Sequence, residues 1–429
     1  VQNKRVLIIT YYWPPSGGSG VQRWLKFAKY LPEFGWEPVI FTPENPDFDL
    51  KDETLLKEIS PELEVLKFPI WEPYNLFRKL RNEKSKDTAK VLEKKKKGWV
   101  DKLGIWLRAN AIIPDPRVYW VKPSVTFLSD LVKNGQFQAV ITTGPPHSLH
   151  LIGLKLHQKT NIPWLADFRD PWSKWEFLDT LPMLKSVRNR HEKLEKKVLS
   201  TANAITTISP GFQKDFEHLI NRKTDLLTNG FDEEDLPNDW AKRKPKEERI
   251  EIVYTGVIDS IRNPIPFLIA LKKTFERSED KVYMRFVGKV SEEVGKLVSE
   301  DVWLAQHIQM VGYVSHEKVF DFYANAHLLL LILTDTKNAQ GNIPGKLFEY
   351  MATGRPVLAL GDPNGDAAKI LHSAEAGKVF SHSDTKGIQN FLENFIPRKE
   401  YLPSPEIQKY SRKTLTGQLA YILERICKP

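Results

Sequence analysis

The chain has 429 residues, 41% hydrophobic and 11% aromatic, which is enough for two folded domains with substantial cores. Its one cysteine, Cys427, excludes a disulfide framework and any multi-cysteine metal site, and suits a reducing compartment. The formal net charge is +9, and one segment carries nearly all of it: from Arg78 to Asn110 twelve basic residues stand against four acidic ones, net +8.

The first predicted strand is "RVLIIT", Arg5 to Thr10. Its apolar run is too brief for a signal-peptide core, and no later stretch reaches the roughly 20 apolar residues that span a bilayer, so a cytoplasmic location is expected. Immediately after it comes "YYWPPSGGSGVQRW", with Gly17, Gly18 and Gly20. A dinucleotide-binding turn needs a third glycine where Arg23 stands, and the acid expected after the second strand is only Glu44 in a proline-rich loop; hydride chemistry is disfavoured. A Walker lysine-serine pair is absent too. Glycines remove side chains where backbone N–H groups approach a ligand, and a helix starting near Gly20 aims its positive end at the same spot. The loop suits a phosphate, or is a tight strand-to-helix turn with no ligand.

A second strand is predicted at Pro38 to Phe41, and the basic segment follows. It is either a solvated face or, because Trp99, Ile105, Trp106 and Leu107 accompany Lys94, Lys95, Lys96 and Lys97, a contact with the headgroup layer of an anionic membrane. Aromatic platforms do not alternate with the charges, so no nucleic-acid partner is expected. The aromatics of "RVYWVKP", Arg117 to Pro123, fit a core or a ligand groove equally. Further strands are predicted at Ala139 to Thr142, Pro163 to Ala166 and Ala204 to Ile208. His147 lies just past one strand end, as a candidate polar site residue or a satisfied loop histidine. Arg169 and Asp170 end another, as a structural ion pair or as contacts to ligand hydroxyls.

Turn residues, prolines and dense charge without apolar period mark a linker at 236–249, dividing an N-terminal domain, 1–235, from a second, 250–410. The second half repeats the alternation, with strands at Ile250 to Gly256, Val282 to Gly288, Ile308 to Val314, His327 to Leu333 and Pro356 to Leu360. The fold class expected is α/β, two doubly wound Rossmann-like halves with parallel sheets. A closing helical pattern, within 411–429, caps either half.

In "NIPGKLFEYMATGRPVLAL", Asn342 to Leu360, Pro344 falls in the first turn of a short helix, Gly354 ends it and Pro356 forbids its continuation. The free N–H groups of that turn and Lys346 favour an anion, and Glu349, one turn in, can accept two hydrogen bonds from a vicinal diol such as a ribose.

Here the chain resembles the GT-B glycosyltransferases, in particular family 4. The resemblance runs over essentially the whole length: "PPSGGSGVQR", "TTGPPHS", "ADFRDPW", "TTISPG", "TNGFD", "YTG" with Arg262 further on, "VGYVSHEKVFDFYANAH" and the Glu349 helix, in that order. It implies two facing halves, with a nucleotide-sugar donor held mainly by the C-terminal one and the acceptor by the N-terminal one. By resemblance, Gly17 and Gly18 approach the donor diphosphate, Glu349 holds the ribose, and Arg262 takes the place of a basic residue usually found as lysine. The family's first glutamate should lie eight positions before Glu349, where this chain has Gly341, and an arginine often found after the strand glycine is here Val257. Contacts to the donor are therefore expected from Pro344, Gly345, Lys346 and Leu347, and leaving-group stabilisation from Arg262 and Lys346. The resemblance implies a retaining reaction without cofactor, and the absence of clustered ligand-type residues in the sequence implies no metal. The acceptor expected is a saccharide or a lipid-linked one, in cell-surface polysaccharide or glycolipid synthesis at the inner face of the membrane. A nucleotide-sugar epimerase of the same fold and a catalytically silent binding protein are the competing readings.

Overall fold

Successive apolar residues in the predicted strands are the signature of strands buried on both faces, and the structure uses them so except at Ile308–Gly312, which is largely exposed. The computed structural model describes residues 4–48, 50–72, 99–245, 249–278, 282–336, 339–398 and 400–428. The chain divides into two compact units, Val1–Thr228 with Lys413–Pro429, and Asn229–Arg412.

The first unit is built on a parallel sheet of seven strands in the order β3-β2-β1-β4-β5-β6-β7. These are β1 (Lys4–Ile9), β2 (Trp36–Pro43), β3 (Glu64–Phe68), β4 (Ala139–Gly144), β5 (Trp164–Phe168), β6 (Ala204–Thr207) and β7 (Asp225–Leu226). One apolar cluster joins Leu7, Ile9, Phe41, Trp120 and Phe168; another joins Val6, Ile8, Trp24, Ile40 and Leu165. Leu415, Leu419 and Leu423, from the helix Arg412–Cys427, complete the second cluster, so the closing helix belongs to this unit.

The second unit has a six-stranded parallel sheet, order β10-β9-β8-β11-β12-β13. Its strands are β8 (Ile250–Thr255), β9 (Val282–Val287), β10 (Ile308–Gly312), β11 (Leu328–Ile332), β12 (Val357–Leu360) and β13 (Gly377–Phe380). The fold is therefore two doubly wound α/β units, as the sequence predicts. Each sheet reverses its winding once, between β1 and β4 and between β8 and β11, and the loops at such a switch point form a crevice outside the strand ends.

Three strands differ from expectation. β3, "EVLKF", alternates weakly and carries two charges; β7 has only two residues; and β13, "GKVF", opens on a glycine and a lysine that break the apolar run. The passage between units also differs from the 236–249 linker: the units part at Thr228 and Asn229, and again at Arg412 and Lys413. Trp240 explains the shift, since it packs against the second unit's core, edge-on to Phe320 at 6.5 Å, so the polar run around it is surface rather than connector.

Candidate functional site

In the second unit, the site is assembled where β8 and β11 diverge. The helix Gly345–Ala352 is capped by Pro344, whose ψ of 145° is extended; it stands one position outside the first turn in which the sequence places it. Gly354, at φ +71°, stops the chain because a Cβ there would meet the backbone of Tyr401 and Leu402 at 2.6 to 2.9 Å. Lys346 lies in the first turn and is folded back over the Tyr254 ring, with Nζ 4.1 Å from its centroid. Its ammonium donates to the Thr255 carbonyl at 2.7 Å. A Cβ on the next residue, Gly256, would stand 3.0 Å from that nitrogen, so the "YTG" glycine makes room for the lysine. The Tyr350 hydroxyl receives the Thr255 N–H at 3.0 Å and shares a hydrogen bond with Thr255 Oγ1, which fixes the strand end from the helix side.

Arg262 approaches from the loop after β8. Asp259 accepts from the Ile261 and Arg262 amides and from Arg262 Nη1 at 2.7 Å, so the guanidinium is oriented by its own loop. The loop after β11 is tied to the same place, because the Asp335 amide donates to the Ile261 carbonyl at 3.1 Å. Burial, then the like charge of Arg262, pull the Lys346 ammonium from its ordinary 10.5 down to about 7. Two cations, Lys346 and Arg262, thus share one strand end with two carboxylates, Asp259 and Glu349. Within the first turn, the Leu347 amide donates to the Pro344 carbonyl and its side chain is fully buried. The amide end open to a ligand is that of Gly345, where a Cβ would meet nothing within 4 Å.

Glu349 sits one turn further along the same helix. His316 Nε2 is 3.3 Å from its Oε1, and the buried Tyr323 hydroxyl is hydrogen-bonded to both Glu349 and Thr255. Gly341 is buried, so the position of the missing carboxylate is filled by packing; beside it Asn342 donates to Thr334 Oγ1 at 3.0 Å. His316, Tyr323, Tyr350 and Asp259 were not singled out from the sequence. The signal available was their fixed separation from recognisable strand ends, which a single sequence does not weight.

In the first unit the glycines have local reasons. The Gly17 amide donates to the Leu50 carbonyl, and a Cβ at Gly17 would lie 3.0 Å from the Leu50 side chain. Gly18, at φ +89°, caps the helix Ser19–Tyr30. Arg169 Nη1 donates to the Gly20 carbonyl, its Nε to the Gly144 carbonyl and its Nη2 to the Pro145 carbonyl. Arg169 thereby ties the first turn of the helix Ser19–Tyr30 to the end of β4 and the proline after it, with Asp170 as the largest carboxylate influence on it after burial.

His147 precedes the helix Ser148–Thr160, whose first turn Asp115 holds through the Ser148 amide and hydroxyl. It is 5% exposed and stacked on Trp172, centroids 5.3 Å apart and planes within 5°. Both of its ring nitrogens are buried and unpartnered. Burial, followed by His150 and Arg169, holds its pKa well below the ordinary 6.5, so the ring is neutral. Trp172 is itself fixed, its amide and indole N–H donating to Glu195 and His191 at 2.9 and 3.0 Å.

The residues expected at a membrane surface divide. Lys94, Lys95, Lys96 and Lys97 lie outside the described residues, as does the side chain of Trp99. In the helix Trp99–Ala111, Leu103, Trp106 and Leu107 are 48%, 40% and 43% exposed, three apolar residues at one face of a helix left open to solvent. Among the described residues no group of three His, Cys, Asp or Glu side chains is placed to hold a metal ion, and no helix is long and apolar enough to cross a membrane.

Residues 249–396, which hold Arg262, Lys346 and Glu349, match the family model Glycosyl transferases group 1. This segment is a group 1 glycosyltransferase domain. No curated protein matches the chain in sequence. Among solved structures, the chain is similar to sucrose-phosphate synthase from Thermosynechococcus elongatus, with 16% identity, TM-score 0.61, and 99% of this chain and 96% of that one covered. It is similar to Anabaena HepE in complex with UDP, with 13% identity, TM-score 0.65 and coverage of 98% and 100%. It is also similar to the lipopolysaccharide outer core galactosyltransferase WaaB in its apo form, with 12% identity, TM-score 0.58 and coverage of 98% and 99%. The glycosyltransferase domain thus lies in a chain whose fold is GT-B throughout.

Proposed function

We propose that this protein transfers a sugar, with retention of configuration and without a metal, from a nucleoside-diphosphate sugar to a saccharide or lipid-linked acceptor. The observation that carries the reading is Lys346: a buried ammonium held on the Thr255 carbonyl at the end of β8, its pKa pulled to about 7 by burial and then by the charge of Arg262. When the bond from anomeric carbon to diphosphate breaks, negative charge grows on the leaving oxygen, and fixed cations stabilise that charge without reorganising. Lys346 and Arg262 supply the cations and the Gly345 amide a dipole, while Glu349 takes the ribose hydroxyls. A leaving-phosphate oxygen takes the acceptor's proton on the face the leaving group departs from, so no separate base is needed. His147 is read as a neutral wall of the sugar site, backed by its stack on Trp172. Gly17 and Gly18 keep the role of approaching the diphosphate, Pro344 and Leu347 that of shaping the donor turn, and Arg169 and Asp170 that of setting the loops around acceptor or donor hydroxyls.

The acceptor class is read from the Arg78 to Asn110 segment, whose sequence carries net +8 and includes the exposed Leu103, Trp106 and Leu107. Basic side chains next to exposed Trp and Leu suit a peripheral site on an anionic cytoplasmic membrane, where lipid-linked saccharides are extended. That HepE has been solved with UDP-glucose and that WaaB is a lipopolysaccharide outer core galactosyltransferase supports this donor and acceptor chemistry. Incubation with UDP-, GDP- and ADP-sugars, followed by mass spectrometry, tests the proposal. Free nucleoside diphosphate is the expected product; an altered sugar still attached would mean epimerisation, and binding without reaction a silent module.

A further inference from the structure

Glu349 does not stand alone. His316, the first residue of the helix His316–Asn325, reaches its Oε1 from a different element, at 3.3 Å, and both side chains are about one-fifth exposed, 20% and 19%. The imidazole is itself held edge-on against Phe320, with centroids 5.5 Å apart and planes at 89°, so its bearing on the carboxylate is set by packing rather than by solvent. From the other side, the Tyr323 hydroxyl, two turns along the same helix, bonds Glu349 and Thr255 together. One helix therefore grips the carboxylate with a ring N–H near its start and a phenol near its end. A carboxylate has about four acceptor directions, and two donors that take fixed directions leave the remainder aimed one way.

We propose that His316 is a positioning residue for ribose recognition: it holds the Glu349 carboxylate in the orientation that receives the ribose hydroxyls, and the preference for ribonucleotide over 2′-deoxyribonucleotide donors depends on it. This rests on the assignment of Glu349 to the ribose. The imidazole acts through the carboxylate, so removing it costs the alignment of that bond and not the diphosphate contacts of Lys346 and Arg262, which come from other elements.

The test is calorimetric binding of UDP and 2′-deoxy-UDP, with GDP and 2′-deoxy-GDP in parallel, to wild type, His316→Ala, His316→Gln and Glu349→Ala. A well-aligned hydroxyl-to-carboxylate hydrogen bond is worth about tenfold in affinity, so the wild type is expected to favour the ribonucleotide by at least about that factor. In Glu349→Ala the ratio falls towards one, and in His316→Ala it falls most of the way. His316→Gln, which keeps a donor, restores much of it. Thermal melting of each variant confirms that it is folded. A ratio unchanged in His316→Ala but lost in Glu349→Ala overturns the role of His316 alone, as does an equal weakening of both nucleotides. A ratio unchanged in both variants overturns the ribose assignment of Glu349 and this inference with it.

Discussion

Substituting Lys346 with Met tests the chemistry where it is most exposed to failure, because the wild-type lysine is half neutral at its own site. With a pKa of about 7, only about one-tenth of Lys346 side chains carry a proton at pH 8 before a ligand arrives. A diphosphate charge at about 4 Å and an effective dielectric of about 20 favours the ammonium by roughly 4 kcal/mol, close to three pKa units. The bound lysine therefore titrates near 10, and binding at pH 8 takes up about nine-tenths of a proton. The sign follows: the complex holds more protons than the free protein between these two values, so affinity is full below about pH 7 and falls by up to tenfold per unit as pH rises towards about 10. Titration calorimetry with UDP and GDP in two buffers of different ionisation enthalpy reads the uptake directly. At pH 8 the nucleotide's own terminal phosphate, with its pKa near 6, is already ionised. Uptake is expected in wild type and absent in Lys346→Met. A wild-type uptake below about 0.2 proton, with binding intact, would refute the account of a lysine charged by its ligand.

Arg262→Ala is expected to lower turnover about a hundredfold with a smaller change in donor affinity, since its charge acts on the leaving oxygen; unchanged steady-state turnover would remove it from the mechanism. Activity is expected to survive excess chelator, and NMR of the product to show the donor's anomeric configuration; loss of activity restored by a divalent cation, or an inverted product, would contradict the proposed chemistry. Reversing the charge at Lys94 to Lys97 is expected to reduce binding to vesicles containing anionic lipid but not to neutral ones; equal binding by wild type would leave the segment merely solvated. Asp167 is fully buried and accepts from Arg23, Trp24, Thr143 and Thr206. Asp167→Ala therefore strands a buried guanidinium and should cost about 3–5 kcal/mol, read as a lower denaturation midpoint. Burial opposes its ionisation, but Arg23 outweighs it and holds the carboxyl below the usual 3.8, so this stabilisation is present above that pH and lost as acidity rises further.

The strands were legible because parallel sheets bury both faces: "VLII", "LLLLI" and "VLAL" admit little else. The Gly345–Ala352 helix was legible because proline and glycine bracket it. Hidden from the sequence were contacts between elements far apart in the chain. Nothing in "VSHEKVF" announces that His316 meets a carboxylate 33 positions later, and nothing in "RDPW" that Arg169 spends its guanidinium on the carbonyls of Gly20, Gly144 and Pro145. Gly17 and Gly20 show the same limit from the other side. Ligand approach was the evident reason for them, yet each also has a neighbour, Leu50 or Arg169, that a side chain would strike.

The helix Arg412–Cys427 gives the order of synthesis a structural weight. Its leucines cover Trp24, Leu25 and Ala28, and Arg425 and Lys413 clasp Asp225 and Glu33, all within a unit whose other residues emerge from the ribosome before Asn229. The nascent first unit must wait, one greasy flank bare, while the 184 residues of the second are made. A truncation that spares every donor contact but drops this last helix should therefore aggregate rather than merely lose activity, and the two halves should not be separable at Thr228 by simple cleavage of the gene.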